Sequence, residues 1–164
     1  RQHQLTDDYF DRIEALDYTM SHDDGQAYDT LDEADIILVG VSRTSKTPTC
    51  IYLANRGIKA ANVPIVPEIE LPPTLFTVKR PMVVGLTLKP DRLIEIRSNR
   101  LRLLKSWGGN NDYTELDRVK AEVAEARRVF SKQDWPVIDV TRKSIEETAA
   151  TILNHYEKWQ AKKA

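Results

Sequence analysis

The residues Gly40-Val41-Ser42-Arg43-Thr44-Ser45-Lys46-Thr47 have the types and spacing needed to hold a phosphate group. They keep the frame G-x-x-x-x-G-K-[ST], in which backbone N–H groups turn inward around an anion, the lysine spans the terminal oxygens, and a hydroxyl at the helix start meets phosphate or Mg²⁺. Lys46 and Thr47 fill the last two roles. Ser45 departs from the frame, which has a second glycine there; a Cβ at that position restricts both φ and the approach of the phosphate, so a standard ATPase fits less well. Arg43 adds a planar, permanently charged donor, and Ser42 and Thr44 add hydroxyls. The plainer reading is a Ser/Thr-rich turn whose hydroxyls only cap the following helix.

A second group that could take part in chemistry is His22-Asp23-Asp24, an imidazole beside two carboxylates. One carboxylate could accept a hydroxyl proton or hold Mg²⁺ during phosphoryl transfer to a protein; on spacing alone, a polar turn that ends a helix is the more ordinary reading. Arg92, Arg97, Arg100 and Arg102 could neutralise a transferring phosphoryl group from the side opposite the loop, or form a solvated helix face. Cys50 has no histidine nearby and reads as a small core residue, and His155, among Ile152, Tyr156 and Trp159, reads as structural. No CxxC or HxxxH spacing supports a zinc site, so no metal ligands are assigned and Mg²⁺ carried by a nucleotide is the one metal expected.

Several elements must position these groups. Tyr9, Phe10, Ile13, Leu16 and Met20 recur at helical spacing, which predicts a helix over Thr6–Met20 capped by Thr6. It ends in the turn Ser21–Gly25, and a polar stretch follows to Ala34. The apolar run Ile36–Val39 predicts a strand buried on both faces, directly ahead of the loop. Pro48 suits the first turn of the next helix, and Gly57 its C-terminal cap. Ala61–Val66, Met82–Leu86 and Val137–Val140 read as further strands, with a Pro-rich surface loop from Pro67 to Pro81. Helices are expected from Pro90 to Leu104, through Leu116, Val119, Val123, Ala126 and Phe130, and along Ile145–Trp159 behind a Ser144/Glu147 capping box. Trp107–Asn111 breaks the pattern between the first two. Strands alternating with helices predict an α/β fold with a mainly parallel sheet flanked by helices, like a P-loop kinase.

The chain has 164 residues, 41% of them hydrophobic, enough for one domain with a substantial core. Its 24 Lys and Arg balance 25 Asp and Glu to a formal net charge of -1, so no global field draws it onto nucleic acid or a membrane. One cysteine, no signal-peptide pattern and no apolar run near the roughly 20 residues needed to span a bilayer lead us to expect the cytoplasm. The start at Arg1, without an initiator Met, is expected of a piece cut from a longer protein.

Tyr18–Gly25 (YTMSHDDG), Ala34–Pro48 (ADIILVGVSRTSKTP), Ala61–Pro67 (ANVPIVP) and Pro136–Ala149 (PVIDVTRKSIEETA) together resemble the regulatory proteins of pyruvate, phosphate dikinase and of phosphoenolpyruvate synthase. In that family the serine at the Ser45 position is the usual form. The resemblance implies a bifunctional enzyme that phosphorylates a threonine of the dikinase or synthase with ADP, and removes the phosphate by phosphorolysis with inorganic phosphate, releasing pyrophosphate. It implies that Gly40–Thr47 bind the ADP phosphates, that Lys46 stabilises charge at the β-phosphate, and that His22, Asp23 and Asp24 are candidates for activating the target hydroxyl. It also implies that residues 1–164 form the C-terminal catalytic domain, with the helix and turn of residues 1–25 packed on it, and that the family's N-terminal domain is absent from this chain. A homodimer is expected from the exposed faces of the long helices. The competing readings are a P-loop kinase of a small metabolite using ATP, and a module that binds nucleotide without catalysis.

Overall fold

The apolar run beginning at Ile36 forms strand β1 (Ile36–Val41), and every residue in it is buried. Strands β2 (Ala60–Ile65) and β3 (Met82–Thr87) pair with it in parallel on either side, and β4 (Val137–Asp139) pairs in parallel with β3, giving the order β2-β1-β3-β4. The computed structural model describes residues 2–23, 28–67, 69–102 and 112–163, with side chains over 9–23, 28–67, 69–96 and 116–162. Its helices are α1 (Gln2–Ser21), α2 (Lys46–Ala54), α3 (Pro73–Thr77), α4 (Pro90–Arg102), α5 (Asp112–Lys132) and α6 (Ile145–Lys163), with a 3₁₀ turn at Tyr28–Glu33. The fold is therefore the α/β class with an all-parallel sheet. None of the described helices is long and apolar enough to cross a membrane.

Side chains alternate across a strand, so β1 serves two cores. Ile36 and Leu38 pack with Cys50 and Leu53 of α2 and with Ala149 and Ile152 of α6. Ile37, Val39 and Val41 pack with Val119, Val123, Ala126 and Phe130 of α5, closed by Leu31 of the 3₁₀ turn and Leu75 of α3. Helix α5 lies so close to β3 that a Cβ at Gly85 would stand 2.6 Å from the Phe130 ring. The strand order reverses between β1 and β3, and in open parallel sheets that reversal opens a crevice at the carboxyl ends of the strands, where ligands bind.

Four expectations change. Helix α1 starts at Gln2, so Thr6 lies inside it and does not cap it. Of its large apolar residues Tyr9, Phe10, Ile13 and Met20 are exposed and Leu16 is half-buried; the helix meets the core through Tyr18 and is buried most deeply at Ala15 and Thr19, small side chains that permit a close approach. The connection from Pro67 to Pro81 contains α3, started by Pro73 and anchored by buried Leu75. The polar stretch before Ala34 holds the 3₁₀ turn, anchored by buried Leu31. The Ser144/Glu147 capping box forms as expected, with Glu147 N donating to Ser144 Oγ at 3.1 Å and Ser144 N to Glu147 Oε1 at 3.4 Å. Leu103, Leu104 and Trp107–Asn111 lie outside the described residues.

The Gly85–Phe130 contact yields a test. Gly85→Ala is expected to destabilise the domain by about 1–3 kcal/mol through overpacking, and to lower the midpoint of thermal unfolding by several degrees. An unchanged midpoint would mean that α5 does not rest on β3 in this way.

Candidate functional site

Between the end of β1 at Val41 and the start of α2 at Lys46 the chain reverses through two left-handed residues, Arg43 (φ 71°) and Ser45 (φ 61°). The first glycine of the motif is required by contact: a Cβ on Gly40 would lie 2.7 Å from the Leu86 carbonyl oxygen and 3.1 Å from Thr44 Oγ1. The second position keeps the backbone geometry that favours glycine while carrying a serine, and Ser45 gives α2 no side-chain cap. The plain capping explanation for the loop's hydroxyls therefore fails. Thr44 instead donates to the Val41 carbonyl at 2.8 Å and is fully buried.

Lys46 lies inside the turn. Only 6% exposed, its ammonium donates to the Val41 carbonyl at 2.8 Å and to Thr44 Oγ1 at 3.3 Å. A positive charge is thus stored at the carboxyl end of β1, beside the strand-order reversal. Ser42 and Arg43 are exposed at the rim of the same turn.

Thr47 reaches out of the loop to the segment after α1. Its hydroxyl donates to Asp23 Oδ1 at 2.8 Å, and Asn62 Nδ2, from β2, donates to the same oxygen at 2.8 Å and to Thr47 Oγ1 at 3.0 Å. Of the three residues in the His22-Asp23-Asp24 group, Asp23 is brought to the loop. His22 is turned into the fold: Nδ1 contacts the Tyr18 carbonyl at 2.8 Å, Nε2 contacts Thr30 Oγ1, and the ring stacks on Tyr18 with centroids 3.7 Å apart. A carbonyl can only accept, so Nδ1 carries a proton, and Nε2 is bonded to the threonine hydroxyl. Both ring nitrogens are engaged in holding the turn. Asp24 and Gly25 lie outside the described residues.

None of the other candidates is seen to bond the loop among the described residues. Arg92 pairs with Glu95 at 3.2 Å on the surface of α4, and the side chains of Arg97, Arg100 and Arg102 lie outside the described residues. Cys50 is fully buried; burial, reinforced by the Asp23 carboxylate and opposed by Lys46, pushes its thiol well above the ordinary value. His155 is half-buried on α6. Asn62 was not among the residues singled out from sequence, although a polar residue inside the otherwise apolar run Ala61–Val66 was a visible signal. Beside the loop, the end of β2 and α5 border an open, mainly apolar groove of about 930 Å³ that includes Ile65, Val66, Ile69, Phe76 and Val129. Its floor residue Ile65 pairs in the sheet with Val41.

Two outcomes are expected from this geometry. Ser45→Gly should stay within about 1 kcal/mol of the parent, because relief of the left-handed residue is offset by the greater freedom of unfolded glycine. Ser45→Val should unfold at clearly lower denaturant, and equal midpoints for the two variants would contradict the left-handed backbone at this position. Cys50 should resist alkylation by iodoacetamide at pH 8 and react once the chain is unfolded; modification of the native protein at the rate of a free thiol would show the site to be open.

Comparison with known proteins gives the family. A family model described as kinase/pyrophosphorylase matches residues 1–153. A protein of Caulobacter vibrioides named as a pyruvate, phosphate dikinase regulatory protein is 61% identical over 153 residues, which is 93% of this chain and 48% of that protein. Proteins of the same name are 58% identical in Paramagnetospirillum magneticum (96% of this chain, 50% of that protein) and 54% identical in Erythrobacter litoralis (99% and 58%). The chain spans about half the length of the curated relatives it matches. Matched over nearly its whole length, the chain belongs to the kinase/pyrophosphorylase family.

Proposed function

We propose that this chain is the nucleotide-binding catalytic part of an enzyme that acts on pyruvate, phosphate dikinase, the protein named in its relatives, or on a related synthase. It phosphorylates a threonine hydroxyl with ADP, and removes that phosphate by phosphorolysis. The observation that carries this reading is the buried Lys46 ammonium in the turn at the end of β1, with the Asp23 carboxylate hydrogen-bonded to Thr47 at its edge. The loop supplies a cation for a terminal phosphate, and the carboxylate a proton acceptor, within one short stretch of the sheet's carboxyl end.

In the forward direction the threonine oxygen attacks the β-phosphorus of ADP, the bond to the bridging oxygen breaks, AMP leaves with that oxygen, and the hydroxyl proton passes to a carboxylate. Asp23 suits that role: Oδ1 is held by Thr47 and Asn62, while Oδ2 makes no hydrogen bond with the described residues and can accept the proton. Asp24, its neighbour in sequence, shares the candidacy, and His22 serves by holding the turn. In the reverse direction an oxygen of inorganic phosphate attacks the phosphothreonine phosphorus, pyrophosphate forms, and the departing threonine oxygen takes the proton back. One cationic pocket serves both directions, because the β-phosphate of ADP and free phosphate occupy the same place beside Lys46.

Among the described residues, no three His, Cys, Asp or Glu side chains converge into a metal cage. Thr47 and Asp23 are hard oxygen donors suited to Mg²⁺, which would arrive with the nucleotide and contribute charge neutralisation.

The test is calorimetric titration with ADP and then ATP, followed by transfer assays on the dikinase. ADP should bind more tightly than ATP. Lys46→Met should abolish binding and reduce transfer by about 100-fold or more, in keeping with loss of a charge-stabilising group. Preference for ATP would favour a metabolite kinase, and ADP binding without transfer by the full-length protein would favour a non-catalytic module.

A further inference from the structure

We propose that Asn62 is a positioning residue, which acts through Asp23 to hold the proton-accepting carboxylate at the phosphate loop. The proposal rests on the reading of Asp23 given above and extends it to a residue with no assigned role. Asn62 lies inside β2, paired in the sheet with Leu38 of β1, and is 2% exposed. An apolar side chain would be the ordinary occupant of such a position. Its neighbours Ala61 and Val63 face the α5 core, so Asn62 faces the opposite side of the sheet, as does Ala60, which packs in the core with α2.

There the amide joins three separate parts of the chain. Nδ2 donates to Asp23 Oδ1, from the segment after α1, and to Thr47 Oγ1, from the first turn of α2. The Asn62 backbone N–H also donates to the His22 carbonyl at 3.3 Å, so β2 grips the His22-Asp23 turn by main chain and side chain together. The other end of the amide has no such use: Oδ1 is buried and has no hydrogen-bond partner among the described residues. An interior acceptor left unpaired is destabilising, so a need for folding alone would favour an apolar residue here. What the amide supplies is the donor. With one N–H shared between Asp23 Oδ1 and Thr47 Oγ1, the three atoms lying 2.8–3.0 Å apart, it fixes which carboxylate oxygen is occupied and leaves the other for the incoming hydroxyl. Misplacing a reacting group by about 1 Å can cost on the order of 100-fold in rate, so a holder of this kind affects turnover more than binding.

The experiment is a double-mutant cycle in the full-length protein, with Asn62→Ala, Asp23→Ala and both together. Asn62→Ala is expected to lower kcat by about 10–100-fold while the KM for ADP stays within about threefold, and the double variant should be no slower than Asp23→Ala alone. Multiplying effects would show that Asn62 works independently of Asp23, and an unchanged kcat would show that it works on nothing; either overturns the proposal. A readout independent of turnover accompanies the cycle: solvent exchange of the Asn62 side-chain amide protons, followed by NMR in the parent and in Asp23→Ala. Exchange should be about tenfold or more faster in the variant, and equal rates overturn the proposal even if the parent transfers nothing from ADP. Loss of transfer in Lys46→Met with full activity in Asn62→Ala would leave the proposed function standing and remove this extension alone.

Discussion

A buried ammonium group has to be solvated by the protein that buries it, and Lys46 imposes that demand on the whole carboxyl end of the sheet. Its partners include the carbonyl that ends β1 and the hydroxyl of Thr44. For the first residue of a helix to reach back to the last carbonyl of the preceding strand, the chain must reverse within residues 42–45, and left-handed Arg43 and Ser45 accomplish this. Thr44 must point inward, and Gly40 must lack a side chain so that Thr44 Oγ1 and the Leu86 carbonyl can close on β1. Strand, turn, helix and the neighbouring strand are thereby organised around one charge.

Features governed by local rules were legible in the sequence. A continuous apolar run means a strand covered on both sides, and Ile36–Val39 is one, although the strand runs on through Gly40 and Val41; Ser144 followed three residues later by Glu147 means a capped helix start, and the two bonds are present. Features decided by tertiary contact were not. The 3₁₀ turn and α3 are each held by one buried leucine, Leu31 and Leu75, too few for a periodic signal. In α1 the spacing of large apolar residues identified the helix but pointed to the wrong face, because the buried contact is made by Ala15 and Thr19. The loop was recognisable by its frame, yet Ser45 looked like a defect because sequence shows residue type and not φ; the left-handed backbone survives the change of side chain.

The His22-Asp23-Asp24 triplet shows why a cluster of reactive side chains does not declare its own division of labour. Successive residues in a turn leave it in different directions. His22 enters the fold, where its two nitrogens and its ring face are all in use, and Asp23 faces the loop. The histidine, by chemistry the more versatile group, becomes the scaffold, and the carboxylate beside it meets Thr47. Asn62 stands out in the sequence only as a polar residue in an apolar run; its partners, 15 and 39 residues away, are visible only in the folded chain.

Asp23 lies just beyond the last turn of α1, and its carboxylate bonds the first turn of α2, so the two helices are thermodynamically linked. Loosening the Asp23–Thr47 contact would therefore free the end of α1 as well as the first turn of α2. The outward row of Tyr9, Ile13 and Met20 thus sits on the helix that carries Asp23 to the loop.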